Sequence, residues 1–244
     1  MVDPKNFIPE APGTLAPITT VGLLKKIRVG LSALPLWMNL GKLSATITPD
    51  ELVDFSLKCP AIAPMQMRSE FVEYARIVAE QRPSAALEIG SYRGGTLFVL
   101  SRLADPDATV ITIDLPKTLF GKIGRWAQTP LFHRFTQKGQ TIHLVRADSH
   151  RQETLSRVSK LLNGRKLDLL FIDGDHTYAG VRADFEMYSP LVRPGGIVAF
   201  HDIAVQPLPN EVVRLWHEIK SGHRHKEILH STARGAMGIG LLWL

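Results

Sequence analysis

Ala86-Leu87-Glu88-Ile89-Gly90-Ser91-Tyr92-Arg93-Gly94-Gly95 leads from an apolar run, through a glycine turn, into a second apolar stretch that reads as a helix. Glycines at such a strand-to-helix turn let the backbone approach a ligand closely and present the amino end of the helix to it. Asp114 closes the next apolar run, Val110-Ile111-Thr112-Ile113, about twenty positions after Gly94. A carboxylate so placed suits the hydroxyls of a ribose.

Outward from this turn, short apolar runs recur at 85–89, 109–113, 141–145, 167–172 and 196–200. The stretches between and after them predict helices over about 94–104, 150–162, 177–189 and 209–221. Alternation of this kind calls for an α/β fold, a doubly wound and mainly parallel sheet with helices on both faces. Two further runs, Glu227–Leu229 and Gly238–Leu242, flank Thr232-Ala233-Arg234-Gly235 and predict an antiparallel closing hairpin, which makes seven strands. The stretch 115–138 is longer than an ordinary connection and carries Lys117, Lys122, Arg125, Trp126, His133 and Arg134. Helix and part of a substrate wall are expected there.

Before residue 60 the pattern differs. Pro4, Pro9, Pro12 and Pro17 predict an arm without regular structure. Leu24, Ile27, Leu31 and Leu34, with Lys25, Lys26 and Arg28 largely off their face, predict a short basic amphipathic helix ending at Pro35. Packing on its own domain or on a dimer mate is the plainer use of such a helix; a lid or a membrane-surface contact is the alternative. Thr48-Pro49-Asp50-Glu51 is a capping box with proline at the first helical position. A third helix is predicted over 69–81, with Phe71, Tyr74, Ala75, Val78 and Ala79 as its apolar face. We therefore expect residues 1–60 to form an N-terminal helical arm serving as lid or oligomerisation segment, and 61–244 to form the cofactor-binding domain.

The composition of the 244 residues, 45% hydrophobic and 21% charged, excludes a disordered or fibrous chain. A lone cysteine, Cys59, excludes an internal disulfide and a thiolate metal cage, and with no secretory pattern at the start it points to the cytoplasm. No apolar run is long enough for a membrane span. A net charge of +6 permits nucleic acid without demanding it, and none is expected as a partner; a small-molecule acceptor is, with a homo-oligomer open.

The choice of adenosine ligand turns on Glu88. A dinucleotide would bring a pyrophosphate against this carboxylate, whereas S-adenosylmethionine brings a sulfonium and an ammonium that an acidic residue stabilises. A nicotinamide oxidoreductase and a noncatalytic cofactor-binding protein are the competing readings. On Leu87-Glu88-Ile89-Gly90-Ser91 with Gly94-Gly95, then Asp114, Asp148 and the segment from Asp168 to Tyr178, the chain resembles the class I S-adenosylmethionine-dependent methyltransferases, with their Rossmann-like sheet. Phe171-Ile172-Asp173-Gly174-Asp175-His176-Thr177-Tyr178 and Gly195-Gly196-Ile197-Val198-Ala199-Phe200-His201-Asp202 resemble more narrowly a bacterial subgroup that methylates small-molecule hydroxyls. Tyr92 departs from that pattern, standing where a middle glycine is frequent.

The resemblance implies that Glu88, Gly90, Ser91 and Gly94 border the methionine part of the cofactor, that Asp114 binds the ribose, and that Asp148 and Ser149 meet the adenine. Asp148 is equally suited to an ordinary helix N-cap. Gln66 is a weaker cofactor contact. Asp173 closes one parallel strand and His201-Asp202 the next, so their side chains can converge at the carboxyl edge of the sheet. Asp173, His201 and Asp202 are the candidate ligands for Mg²⁺ or another divalent metal, the imidazole departing from an all-oxygen set. Loop-capping carboxylates with His201 as a substrate contact or base are the rival assignment. His176 is a candidate base for an acceptor hydroxyl, with His201 sharing that role, and Asp175 and Tyr178 are candidate substrate contacts. His217, His223, His225 and His230 lack ligand spacing and read as surface residues.

Overall fold

A computed structural model describes residues 46–116, 129–204, 210–230 and 237–244, together with Leu36, Met38, Leu40 and Leu43. The helix expected over 24–34, the proline arm, Lys117, Lys122, Arg125, Trp126 and the turn Thr232–Gly235 lie outside them. Seven strands form one sheet in the order β3-β2-β1-β4-β5-β7-β6. They are β1 Ala85–Ile89, β2 Thr109–Asp114, β3 Thr141–Arg146, β4 Leu167–Ile172, β5 Val192–His201, β6 Arg224–Ile228 and β7 Ile239–Trp243. The first five are parallel; β7 runs antiparallel to both β5 and β6. This is the Rossmann-like, mainly parallel sheet with an antiparallel C-terminal hairpin that the apolar runs predict.

The helices are α1 Pro49–Lys58, α2 Arg68–Gln81, α3 Gly95–Leu103, α4 Gln152–Leu162, α5 Tyr178–Tyr188 and α6 Val212–Ile219. Central strands buried on both faces read as continuous apolar runs, which is why β1 and β4 were conspicuous in the sequence. Ala86, Leu169, Phe171 and Ala199 project to one face and pack with Phe71 and Tyr74 of α2 and Phe98 of α3. Leu87, Leu170, Val198 and Phe200 project to the other, against Val158, Val181 and Trp216 of α4 to α6. Thr48 and Glu51 make the reciprocal bonds of the expected capping box.

Two boundaries differ from expectation for identifiable reasons. Strand β5 begins at Val192 rather than 196, because Gly195 donates to the Leu244 carbonyl and the Gly196 carbonyl accepts from Leu244, so the Pro-Gly-Gly stretch is ladder rather than turn. Helix α6 begins only at Val212, whose N–H is capped by the Asn210 side chain. Leu36, Leu40, Leu52 and Val53 share one core with α2 and α3, so packing is continuous across residue 60. Of the stretch 115–138, residues 129–133 form a helical turn that buries Phe132 while His133 and Arg134 stay exposed.

Gly240 of β7 lies under the buried Trp216 ring, where a Cβ would come within 2.7 Å of two indole carbons. Gly240→Ala is expected to destabilise the fold by about 1–3 kcal/mol, because the ring has no room to retreat. Urea unfolding measures this, and a change below roughly 0.5 kcal/mol would show the hairpin to be loosely seated on α6.

Candidate active site

The carboxyl ends of β1, β2, β4 and β5 open onto one cavity of about 810 Å³. It forms where the sheet order reverses between β1 and β4, the usual place for ligands of open parallel sheets. At Gly90, φ is +93°, and a Cβ would sit 2.0 Å from the Asp173 carbonyl oxygen, so only glycine lets the two strand ends pass this closely. Gly94, with φ +86°, is the left-handed N-cap of α3 and packs against Phe132. Between them Tyr92 holds φ +43°, the left-handed backbone that a glycine would take there without strain.

Gly90, Ser91, Asp114, Asp148 and Ser149 all line the cavity. Ser91 Oγ donates to Asp114 Oδ2 at 2.8 Å, which orients that carboxylate at the end of β2. Asp148 Oδ1 accepts from the His150 N–H at 2.9 Å, and its backbone carbonyl accepts from Thr154 Oγ1, so it organises the turn into α4 as well as facing the cavity. Behind that turn Asp184 is fully buried, 3.3 Å from His150 Nε2, and burial pushes its carboxyl up to about 6.

Glu88 and Gly94 are not on the cavity wall. The Glu88 carboxyl is fully buried beneath the glycine turn, where Oε2 accepts from Thr112 Oγ1 at 2.9 Å and Oε1 has no partner among the described residues. Burial pushes its pKa up to about 8 against the opposing Thr112 hydrogen bond, and Asp173 and Asp114 push the same way. Burial thus works against the charge on which the choice between adenosine ligands rests.

At the other end of the cavity Asp173, His201, Asp202 and His176 converge. His201 Nδ1 lies 3.2 Å from Asp173 Oδ1 and 3.3 Å from Asp202 Oδ2. His176 Nε2 lies 3.1 Å from Asp202 Oδ2 and 3.6 Å from Asp173 Oδ1. Burial opposes charge on Asp173, yet the imidazoles of His201 and His176 hold its carboxyl below the usual range. Burial likewise opposes charge on His201, and the Asp173 carboxylate outweighs it. The hydrogen bond to Asp173 raises His176. Asp202 adopts φ +63°, and Asn210 Nδ2 donates to its carbonyl at 2.6 Å.

Gln66 belongs to this cluster: its Nε2 donates to Asp173 Oδ2 at 2.8 Å and its Oε1 accepts from Thr96. Sequence reasoning missed Asn210 and Glu70; an asparagine just ahead of a helix was the available signal for the first, and nothing local marked the second. Asp175 lines the cavity, but Tyr178 lies on the surface, its ring under Arg214 and its hydroxyl on Glu218. His217 and His225 are exposed, and His223 and His230 half-buried, away from the cavity.

The raised Glu88 pKa makes a stability prediction. An unfolded glutamate titrates near 4.3, so between about pH 4.3 and 8 the folded chain binds the extra proton and stability falls as pH rises. Glu88→Gln removes that titration and should gain on the unmutated protein across the interval, by up to about 3 kcal/mol at pH 7. Denaturant midpoints at pH 5 and 8 read it out; a pH-independent difference would mean that Glu88 titrates normally.

Known proteins point the same way. Residues 87–203 match a family model described as a methyltransferase domain. An uncharacterised protein of Acanthamoeba polyphaga mimivirus is 29% identical over 52% of this chain and 58% of its own length. One from Sinorhizobium fredii is 26% identical over 59% of this chain and 16% of its own. The chain thus spans under two thirds of the curated relatives it matches. Among solved structures, an O-methyltransferase from Bacillus cereus superposes with a TM-score of 0.57 at 16% identity, over 80% of this chain and 90% of that one. The O-methyltransferase TomG from Streptomyces achromogenes gives 0.53 at 19%, over 90% and 96%. The MycE methyltransferase of mycinamycin biosynthesis gives 0.52 at 18%, over 81% and 54%. The sheet order, the glycine turn and the match over 87–203 agree: residues 87–203 are similar to a methyltransferase domain, and the chain shares the fold of the O-methyltransferases it superposes on.

Proposed function

We propose that this protein transfers the methyl group of S-adenosylmethionine to a hydroxyl of a small molecule, with a divalent metal held by Asp173, His201 and Asp202. The observation that carries the reading is a single cavity with a ribose-type carboxylate, Asp114, at one end and a carboxylate–imidazole cluster at the other. The B. cereus and S. achromogenes structures are described as complexes with S-adenosylhomocysteine and S-adenosylmethionine, and MycE as a complex with Mg and S-adenosylhomocysteine. The donor set fits a metal: the 3.2 and 3.3 Å separations from His201 Nδ1 to the two carboxylate oxygens match the roughly 3 Å between adjacent ligands of octahedral Mg²⁺.

When bound, S-adenosylmethionine supplies an electrophilic methyl and a divalent ion lowers the pKa of an acceptor hydroxyl. The chain supplies alignment and proton removal. Ser91 holds Asp114 for the ribose hydroxyls, the 148–150 turn closes the base end, and Gly90 admits the cofactor's amino-acid portion beside the strand ends. His176 is half-exposed on the cavity wall and within reach of an acceptor proton; His201, only 3% exposed, is enclosed. Direct displacement needs donor and acceptor held in line, which a cavity shared by both provides. For residues 1–60 we propose a lid or oligomerisation role; Leu36, Leu40, Leu52 and Val53 of this segment share the core of α2 and α3. Among the described residues no helix is long and apolar enough to cross a membrane; a cytoplasmic location is supported by the lone cysteine.

Calorimetric titration with S-adenosylmethionine should show binding that Asp114→Asn weakens by about 1.5–3 kcal/mol, or one to two decades. Undiminished binding in that variant would remove the cofactor assignment, and an NADH-dependent signal would favour an oxidoreductase. Labelled methyl transfer to a panel of sugars and phenols separates an enzyme from a passive binder. Turnover should then depend on a divalent ion in the unmutated protein and be lost in Asp202→Ala. Full activity in a chelator, with His176→Ala alone damaging, would leave the base and eliminate the metal.

A further inference from the structure

We infer that Glu70 fixes the orientation and tautomer of His201, turning Nδ1 toward the metal, so that His201 is a ligand and the acceptor's proton goes to His176. This rests on the metal reading above. Glu70 lies in the first turn of α2, and its side chain is fully buried. Its Oε1 accepts from the Met67 N–H at 2.9 Å and its Oε2 from the Gly238 N–H at 2.9 Å. Two backbone donors from separate elements therefore pin both oxygens. The pairing of His201 with Ile239 across β5 and β7 brings the hairpin's Gly238 alongside the imidazole, and α2 packs on that hairpin.

The imidazole of His201 is held between carboxylates on its two sides. Nδ1 faces Asp173 and Asp202; Nε2, which has no hydrogen-bond partner among the described residues, faces Glu70 Oε1 at 3.6 Å. Carboxylate oxygens only accept, so without an ion either nitrogen can carry hydrogen toward its neighbours. An ion held together with Asp173 and Asp202 would take the lone pair of Nδ1, leaving the one hydrogen of a neutral imidazole on Nε2, beside Glu70. Metal-bound histidines are commonly oriented in this way, by a carboxylate on the nitrogen remote from the ion. The same arrangement disqualifies His201 as the base: Nδ1 would be committed to the ion, and Nε2 faces the buried Glu70 rather than the cavity. His176 has neither restriction.

Glu70 also caps α2 and ties down the hairpin, so its loss will disturb structure whatever its effect on His201. The test therefore compares backgrounds. Mn²⁺ binding to the full chain, followed by water-proton relaxation, is measured for the unmutated protein, Glu70→Gln, His201→Ala and the double variant, with S-adenosylmethionine titrated into each. Glu70→Gln should raise the Mn²⁺ dissociation constant about 10–100-fold with cofactor affinity held within about twofold, and should add nothing once His201 is gone. An equal loss in both backgrounds, or none in either, would overturn the role. Independently of whether the variants fold, ¹⁵N spectra of the histidine-labelled wild type with Mg²⁺ should show hydrogen on Nε2 of His201; hydrogen on Nδ1 with Nε2 bare would refute it. If the wild type binds S-adenosylmethionine but no Mn²⁺, this inference falls and the methyltransferase reading stands.

Discussion

The close passage of β1 over the end of β4 is the constraint on which the rest of the site depends. Gly90 donates to the Ile113 carbonyl and Asp173 donates to the Ile89 carbonyl, so three strand ends are stitched together within a few residues. A side chain at Gly90 would overlap the Asp173 carbonyl outright. Parting the strands to make room would displace Asp114 from one side of the cavity and Asp173 from the other, because each is the last or next residue of a strand in that ladder. The Asp114 end and the Asp173 end of the cavity are thus one mechanical unit, and neither can be relocated without the other.

Enclosing so many ionisable groups around this junction is costly in itself, and the structure manages the cost in three ways. Glu88 is pushed by burial toward its neutral form under the turn. Glu70 is given backbone donors on both oxygens. Asp173 and Asp202 are set against imidazoles. Buried charge left without partners would cost several kcal/mol per group, which a fold of this size can hardly spare. Left-handed backbone at Tyr92 and Asp202 adds strain of about 1–2 kcal/mol per residue. Both lie at cavity-lining positions, as expected where geometry is dictated by the site rather than by local preference.

What was legible in the sequence follows from which interactions are local. The strands β1 and β4 were readable because burial on both faces leaves an uninterrupted apolar run, and Thr48 with Glu51 because a capping box closes within four residues. The start of β5 was not, because Arg193-Pro194-Gly195-Gly196 has the composition of a turn and becomes ladder only by pairing with Leu244, nearly fifty residues away. Asp114, Asp173, His201 and Asp202 were readable because strand ends in a parallel sheet share an edge. The burial of Glu88 was not readable for the complementary reason: two residues before a glycine turn places a side chain near the turn along the chain, while the pleat decides whether it faces the cavity or the core. Here Glu88 shares the face of Ala86, which is packed under α2 and α3.

The C-terminal hairpin is the part whose contribution no local pattern could disclose. In a purely parallel sheet every strand end at the site is followed by a loop running on to a helix, so the site's outer wall is built from connections. An antiparallel β7 instead begins at the carboxyl edge, so Met237, two residues ahead of the ladder, comes back to the cavity wall. Ala204, just past His201 and Asp202, donates to the Met237 carbonyl, and Gly238 donates to Glu70. Through these two bonds β5, β7 and α2 close a ring around His201. The one strand that runs against the others therefore lets a rigid ladder, rather than a loop, support the most enclosed imidazole of the site.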